Sequence, residues 1–344
     1  MPQIIINTKG GLGNILFQLA AGLNFAKKFN LGIIVTSQPN ARKPFTEYSI
    51  LKKFKRFYVE YGNIKKYLAN YKGYILNIKE NNYLKMIKLY DTRSKKNIYL
   101  DGYFQNKILF QIRFNYFKSF INNNHLIRVK NELQNIKLIL IGLHIRLGDY
   151  LNHKNIFNIT NKQYYIKCLD KIMNHDDQDN KDNKIVPYVP DNNAIVSNIT
   201  DYLTVISVSE LFNTNKEETI NKEKTEHKKD ISKFQIIVFT DNPKHVKKNY
   251  QFLKNYNTIY ANDYIESNNN IKDTNLSKEE LEFLMMRYCE YMICSNSTYS
   301  LFATYLGSNK RVYIPDKWFN NKTVNPNKYI MNKDQDRYEV VNTD

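Results

Sequence analysis

Short apolar runs alternate with helical patterns from the first residues of the chain. Residues 3–8 form a β-branched run, QIIINT, residues 15–29 repeat apolar positions at helical spacing, and residues 31–37 form the next apolar run, LGIIVTS. A strand, a helix and a strand in this order predict a βαβ unit with parallel strands. From about 40 to 97 the pattern is helical and basic, and we interpret it as a solvated helical face.

A second series of apolar runs follows an aromatic-rich helical stretch at 110–121. The runs of the series lie at 138–146, 234–241, 258–261, 292–294 and 311–315. Their alternation with helical segments predicts a second parallel sheet. One of these segments, 277–291, opens with Ser277 and Glu280 at the spacing of a capping box.

Length and composition place the chain among globular proteins. Its 344 residues correspond to about two domains, and 42% of them are hydrophobic. The three cysteines, Cys168, Cys289 and Cys294, show neither zinc-site spacing nor a disulfide framework, so we expect a reducing compartment. No run approaches 18 apolar residues and the first residues lack the pattern of a signal peptide, so we expect a cytoplasmic protein without a membrane span.

Charge is distributed unevenly along the chain. The formal net charge is +18, yet the segment 174–233 holds 8 lysines against 12 carboxylates. We therefore predict that 174–233 is a polar, largely disordered insertion in a second domain, 131–315, which follows a first domain, 1–130, and precedes a tail, 316–344. The basic remainder leaves a nucleic-acid-binding protein as an alternative, although no helix-turn-helix, zinc-finger or RNP1 pattern is present.

Glycines follow the first predicted strand. Gly10, Gly11 and Gly13 precede and surround the start of the helix that carries Asn14. Such a turn lets a ligand approach the backbone, and the free N–H groups of a helix start attract a diphosphate. A tight turn that requires positive φ explains the same glycines without a ligand.

Polar residues also follow the first strand of the second series. Arg146 offers a fixed fork of donors for phosphate oxygens, and His144 could donate to a base or a ribose. Ligands of doubly wound sheets bind at this end of the strands. His144 could equally be a core histidine, and Asp149 could only cap a turn.

Two later strand ends carry further candidates. Asp241 could accept two N–H bonds from a guanine edge or cap the next helix. Ser297, Thr298 and Tyr299 lie in the segment SNSTYS before an apolar helix, where hydroxyls supply caps and a seat for phosphate. Capping requires only one of these hydroxyls, and the surplus favours a ligand.

Taken together, six motifs resemble the α1,2-fucosyltransferases of glycosyltransferase family 11. In chain order they read GGLGN, YLDGYFQN, HIRLGDY, FTDNP, SNSTYS and VYIPDKWF, and they cover residues 4 to about 319 apart from the insertion. The resemblance implies an α/β, GT-B-like fold in which two Rossmann-like domains face each other across a cleft. It further implies metal-independent, inverting transfer of L-fucose from GDP-fucose to a glycan hydroxyl, a galactoside 2-OH in this family, with no cofactor.

Carried over by position, the resemblance assigns roles to individual residues. Arg146 would hold the donor diphosphate and Asn14 would face the cleft near the donor sugar, so these two are the predicted catalytic residues. The predicted donor-binding residues are His144, Asp241, Ser297, Thr298, Tyr299, Gly11 and Gly13. Tyr103, Gln105 and Asp149 are candidates for the acceptor side or the general base, for which Glu47 and Asp101 are further possibilities.

The chain departs from the family pattern at three positions. Leu147 stands where the family usually has a second arginine, and Gly11 and Ile15 replace residues of its first motif, GRLGNQ. These departures leave open a different nucleotide-sugar donor on the same fold, or a sugar-nucleotide-binding protein without catalysis.

Overall fold

The computed structural model describes most of the chain outside the predicted insertion. The described residues are 1–39, 42–70, 75–91, 93, 96–106, 114–121, 124–153, 155, 157–179, 231–272, 274–320, 322–323 and 336–343. The described residues of Met1–Ile172 and Ile231–Asp344 belong to one compact unit. The predicted insertion, 174–233, therefore lies almost wholly outside the described residues.

Four parallel strands of the described residues form the first sheet. They are β1 (Gln3–Thr8), β2 (Gly32–Ser37), β3 (Ile75–Lys79) and β4 (Asn97–Asp101), in the order β2-β1-β4-β3. Helix α1 (Leu12–Phe29) connects β1 to β2, which confirms the predicted βαβ unit. The helical interpretation of 40–97 is wrong at β3, because this short edge strand is specified by pairing with β4 and its alternation is too brief to stand out.

Besides α1, four α-helices lie before residue 138 in the described part of the chain. They are α2 (Tyr61–Asn70), α3 (Tyr83–Leu89), α4 (Phe114–Lys118) and α5 (Leu126–Gln134), and Ser49–Phe57 forms a 3₁₀ helix. Only α4 lies within the aromatic-rich stretch at 110–121, whose first four residues are outside the described part.

In the part of the chain that the structure describes, the second sheet has six parallel strands. They are β5 (Ile139–Ile145), β6 (Phe234–Thr240), β7 (Thr258–Tyr260), β8 (Tyr291–Ile293), β9 (Arg311–Pro315) and β12 (Tyr338–Val341). Between β9 and β12, β10 (Lys317–Phe319) and β11 (Lys322–Thr323) form an antiparallel pair. The sheet order, β12-β9-β8-β5-β6-β7, is that of a doubly wound Rossmann sheet. The five predicted strands are confirmed, and β12 shows that the segment assigned to a tail also contributes to this sheet.

Helices join these strands. They are α6 (Lys162–Asp179), α7 (Pro243–Asn249), α8 (Ala261–Ser267), α9 (Asn269–Lys272), α10 (Lys278–Met286) and α11 (Thr298–Leu306). The capping box at the start of α10 is present, with the Ser277 hydroxyl and the Glu280 carboxylate bonded reciprocally to backbone N–H groups. The predicted helix 277–291 ends at Met286, because the chain must then turn into β8.

The two sheets share one hydrophobic core through α1 and α11. Phe17 of α1 meets Phe302 of α11 edge to face, with ring centroids 4.9 Å apart, and both side chains are fully buried. The fold is thus α/β with two parallel sheets, as predicted. All three cysteines are buried thiols, and no helix in the described ranges has the length and apolar character that crossing a bilayer requires.

Candidate active site

The strand order of each sheet brings its polar strand ends to one place. In the second sheet the chain proceeds from β5 to β6 and β7 on one side, and returns to β8 and β9 on the other. In the first sheet β2 and β4 flank β1 in the same way. Ligands of open α/β sheets bind outside the carboxyl ends of the strands at such reversals. Here the reversals of both sheets line a single cavity.

That cavity has a volume of about 830 Å³ and is lined by twelve of the fourteen site residues named from the sequence. The twelve residues are Gly11, Gly13, Asn14, Tyr103, Gln105, His144, Arg146, Asp149, Asp241, Ser297, Thr298 and Tyr299. Glu47 and Asp101 are not among the residues that line it; Asp101 instead forms an ion pair with Lys9.

The N-terminal ends of α1 and α11 meet at the cavity. A Cβ atom on Gly13 would lie 2.5 Å from the backbone nitrogen of Tyr299, so only glycine permits this approach. The Asn14 side-chain oxygen accepts hydrogen bonds from the Thr298 hydroxyl at 2.9 Å and from the Gln105 amide at 2.8 Å. We call this group, Gly13, Asn14, Gln105 and Thr298, the helix junction. Neither helix has an acidic residue in its first turn, so the junction presents two positive dipole ends.

The glycines of the first motif have separate roles. Gly10 has φ of +83°, so the tight-turn explanation holds at this position. Gly11 has an extended backbone, and apart from its chain neighbours no atom of the described residues lies within 4 Å of a hypothetical Cβ, so it leaves open space at the cavity.

The loop after β4 is held by one carboxylate. Glu80 accepts hydrogen bonds from the backbone N–H groups of Tyr103, Phe104 and Gln105 at 2.9 to 3.2 Å. This fixes the loop backbone and places the Gln105 amide at the helix junction. The Tyr103 ring is 41% exposed and packs against the ammonium of Lys9.

A charge network follows β5, and it consists of Arg42, Arg146, Asp149 and Asp241. The Arg146 guanidinium contacts Asp241 and Asp149, each at 2.5 Å, and Arg42 contacts the other oxygen of Asp149 at 3.1 Å. Burial alone would raise the pKa of Asp149, but Arg146 and Arg42 outweigh it and hold that pKa below its usual value. Two guanidiniums therefore face two carboxylates, and the network is balanced in charge.

Asp241 uses both carboxylate oxygens within the protein. One oxygen accepts from the backbone N–H groups of Leu147 and Gly148 at 3.0 and 3.1 Å, and the other contacts Arg146. The capping interpretation of Asp241 is wrong, because Asn242 caps α7 by accepting from the His245 N–H. Asp241 instead positions the loop after β5 and the guanidinium of Arg146.

His144 lies at the end of β5 beside β8. It is 5% exposed, and its Nδ1 lies 2.9 Å from the Ser295 hydroxyl. Burial, helped by Arg146 and opposed by Asp241, lowers the pKa of His144 to about 3. The imidazole is therefore neutral near pH 7, and it both belongs to the core and lines the cavity.

The start of α11 combines capping with a wall of the cavity. The Ser297 hydroxyl accepts from the Tyr299 N–H and caps the helix. The Tyr299 hydroxyl donates to the Glu279 carbonyl of α10, and burial raises its pKa far above the ordinary value. Tyr299 therefore contributes its ring and backbone to the cavity, since its hydroxyl is already bonded.

Aromatic rings cover the β9 side of the cavity. Tyr150 and Phe157 stack in parallel with centroids 4.3 Å apart, and Phe157 lies 5.7 Å from Phe319. Phe319 is 36% exposed and Trp318 beside it is buried. The closing motif VYIPDKWF thus supplies part of the wall.

Sequence reasoning missed Arg42 and the α10 side of the cavity. Lys278, Glu279 and Glu282 line it from α10, and Asn262 lines it from α8. The spacing of 278, 279 and 282 places these side chains on one helix face, which is the only signal that the sequence offers. Burial is the main cause that raises the pKa of Glu282 to about 8.

A known protein family matches part of the sequence. Residues 198–339 match the family model of glycosyl transferase family 11. No curated protein matches the sequence.

Solved structures similar to the chain include FUT1 from Arabidopsis thaliana and the fucosyltransferase NodZ from Bradyrhizobium. A variant of FUT1 from Arabidopsis thaliana in complex with GDP is 12% identical, with 95% of this chain and 72% of that chain covered and a TM-score of 0.47. Selenomethionine NodZ from Bradyrhizobium is 9% identical, with 90% and 93% covered and a TM-score of 0.45. The resemblance to glycosyltransferase family 11 that the motifs predict is confirmed by the family match over residues 198–339.

Proposed function

We propose that this chain is an inverting, GT-B-type fucosyltransferase that moves L-fucose from GDP-fucose to a hydroxyl of a glycan, a galactoside 2-OH by family resemblance. One observation carries the proposal: the twelve residues singled out by motifs spread over the whole chain line one cavity. The family match supports the reaction class. Placement at the strand-order reversals of both sheets supports a ligand that both sheets contact.

The helix junction suits the donor diphosphate. The first turns of α1 and α11 hold backbone N–H groups and no acid, and helix starts of this kind bind phosphate. The close approach at Gly13 brings both starts together. A diphosphate there gains two dipoles without displacing a carboxylate.

Arg146 is suited to the leaving group. As the bond from fucose to the diphosphate breaks, negative charge grows on the departing phosphate oxygen, and a preorganised cation stabilises that charge. Asp241 would keep the guanidinium in place, while Asp149, whose side chain is 46% exposed, would give up its contact to a phosphate oxygen. Arg146 would then contribute most when the leaving charge is greatest.

We further propose that the transfer needs no metal ion, because Arg146 and the helix dipoles supply the positive potential. Activity should then persist unchanged in excess chelator. A loss of activity in chelator that added Mg²⁺ or Mn²⁺ restores would contradict this part of the proposal.

The departures from the family pattern bear on the donor. Leu147 is 1% exposed and belongs to the core, so the position where the family carries a second arginine offers no charge to the cavity. Gly11 leaves space at the same cavity. Donor screening must therefore include sugars other than fucose.

The test is release of GDP by the purified chain. GDP-fucose with a panel of glycans that end in β-galactose should yield GDP and a fucosylated product, while UDP-sugars should yield no product. Turnover with GDP-mannose alone would reassign the donor sugar within this proposal. Failure of every GDP-sugar to bind or react would contradict it.

A further inference from the structure

The β9 side of the cavity is built from aromatic rings. It includes Tyr150 and Phe157, which lie between β5 and α6, and Phe319 at the end of β10. We call these three residues the aromatic wall. The carboxylates that line the described cavity belong to the charge network or to α10, so the wall presents an uncharged surface to a ligand.

Backbone and side-chain hydrogen bonds hold the wall in place. The backbone of Phe157 pairs with that of Phe319 as an antiparallel bridge, and the Asn158 N–H donates to the Trp318 carbonyl at 3.3 Å. The Asn296 side-chain amide donates to the carbonyls of Asn158 and Trp318 at 2.6 and 3.0 Å. Because these bonds tie the segment before α6 to β10, the rings are positioned before a ligand binds, and little ordering entropy is lost on binding.

The wall leads from the charge network to an exposed ring. The Arg146 guanidinium lies 5.5 Å from the centroid of the Tyr150 ring. Tyr150 stacks on Phe157 with centroids 4.3 Å apart, and Phe157 lies 5.7 Å from Phe319. A ligand that lies along the wall therefore starts beside the guanidinium that we assign to the leaving group.

Phe319 leaves part of its ring in contact with water. It is 36% exposed, and covering such a ring with the apolar face of a ligand is favourable. Tyr103, which also lines the cavity, is 41% exposed, but the Lys9 ammonium already lies 5.1 Å from the centroid of its ring. Phe319 therefore offers a ring surface that an uncharged ligand can cover.

Polar atoms beside the wall already bind within the protein. The Tyr150 hydroxyl donates to the Asn296 carbonyl at 3.0 Å, and the Asn296 amide donates to the two carbonyls named above. A nucleotide base could stack on the rings, but these groups are not available to bind its edge. The hydroxyls of a sugar can stay hydrated while one of its faces stacks, so the wall favours a sugar over a base.

A β-galactose ring has the shape that suits such a wall. Its axial 4-OH points to one face, which leaves the C–H groups at positions 3, 4 and 5 as a continuous apolar patch on the other face. This patch gains dispersion contacts when it lies flat on an aromatic ring. The 2-OH is equatorial, so it stays free at the edge of the stacked sugar to accept fucose.

We propose that the aromatic wall is the acceptor subsite and that Phe319 stacks on the apolar face of the terminal β-galactose. This inference rests on the proposed function, because it takes a galactoside as the acceptor. It adds Phe319 as a specificity-determining residue to the acceptor-side candidates from the sequence, which are Tyr103, Gln105 and Asp149.

Acceptor kinetics with a disaccharide that ends in β-galactose, N-acetyllactosamine, test the assignment. Phe319→Ala should raise KM for this acceptor by about tenfold, the order of one aromatic contact, and leave kcat and KM for GDP-fucose unchanged. Phe319→Trp keeps a ring, so its acceptor KM should stay within about threefold of that of the wild type.

Tyr58→Ala is the matched control for Phe319→Ala. Tyr58 is 38% exposed and its ring lies 5.5 Å from that of Phe45, so the change removes a similarly exposed and similarly packed ring. Tyr58 is not among the residues that line the cavity. Both KM values of this variant should therefore equal those of the wild type.

Calorimetric titration with GDP separates the acceptor from the donor. Phe319→Ala should bind GDP as tightly as the wild type does, because the wall contacts the acceptor sugar. Weaker GDP binding together with an unchanged acceptor KM would overturn the assignment in favour of a base stacked on the wall.

Saturation-transfer NMR of the wild type identifies the sugar face in contact, and it decides the question even where Phe319→Ala fails to fold. With methyl β-galactoside and GDP-saturated protein, irradiation of the aromatic protons should saturate the galactose protons at positions 3, 4 and 5 more than the proton at position 2, which lies on the opposite face. Equal saturation of these protons, or the strongest saturation at position 2, would overturn the stacking geometry.

The remaining outcomes distinguish this assignment from its basis. An unchanged acceptor KM in Phe319→Ala overturns the subsite while turnover of GDP-fucose, and so the proposed function, stands. Turnover only with acceptors that lack β-galactose overturns the choice of sugar. Failure of the wild type to bind GDP or to react with any GDP-sugar overturns the proposed function itself.

Discussion

The charge network and the helix junction line the same cavity but are built in opposite ways. In the network every guanidinium faces a carboxylate, so an incoming anion must displace one. At the junction two helix starts converge with no acid in either first turn. The comparison indicates that the junction binds a diphosphate already in the ground state. Arg146 instead provides stabilisation that grows with the charge on the leaving group in the transition state.

Removal of the Arg146 guanidinium should have the largest effect. For Arg146→Ala we expect turnover to fall by about 10² to 10³, the usual cost of losing one donor to a developing charge, with a smaller change in affinity for GDP. The turnover of Arg146→Lys should lie between that of the wild type and that of Arg146→Ala, since lysine keeps the charge and loses the forked pair of donors. If Arg146→Ala lowers only the affinity for GDP and leaves turnover unchanged, the different roles assigned to the charge network and the helix junction are contradicted.

A negative charge at the junction should have the next largest effect. Asn14→Asp should weaken GDP binding by about tenfold or more through repulsion of the diphosphate. The same charge should not lower Tm, because it complements two helix starts. Guanosine, which lacks phosphates, is the matched ligand, and its affinity should stay the same; a parallel loss for guanosine would show that the diphosphate lies elsewhere.

Glu282 should affect stability in a direction set by its environment. Because its pKa in the folded protein, about 8, lies above the usual 4.5 of a glutamate, its contribution to stability is present at low pH and is lost as pH rises through 8. Glu282→Gln should therefore raise Tm by a few degrees at pH 9 and leave it nearly unchanged at pH 4.5. Equal Tm values of variant and wild type at both pH values would argue against the burial of this carboxyl.

Arg42 should have the smallest effect. Its side chain is 56% exposed, and its contact to Asp149 is a surface ion pair, a type that contributes little. Arg42→Ala should change turnover by no more than about threefold. A loss as large as that of Arg146→Ala would mean that both guanidiniums act on the leaving group.

The fold was predictable where the apolar pattern of a segment already identifies it as a strand or a helix, without knowledge of which strands pair. The unit β1, α1 and β2 and the buried strands β5 and β6 have apolar runs that leave few alternatives. The short edge strand β3 and the terminal strand β12 were missed, because each is specified by its neighbour in the sheet and carries a weak pattern of its own.

The site was predictable where motifs place chemistry at strand ends. Arg146 and Asn14 follow strands and were found, whereas Glu282 lies inside a helix whose apolar positions are typical of core packing. From the sequence alone, a glutamate at position 282 predicts a side chain that is exposed to solvent. The packing of α10 against α5, α8 and α11 places it at the cavity.

A crystal structure of the chain with GDP tests the central claim most directly. The account predicts that the diphosphate oxygens lie within about 3 Å of the N–H groups that open α11 and of the Arg146 guanidinium, with Asp149 moved away. A diphosphate bound elsewhere, with Arg146 still in contact with both Asp149 and Asp241, would contradict it.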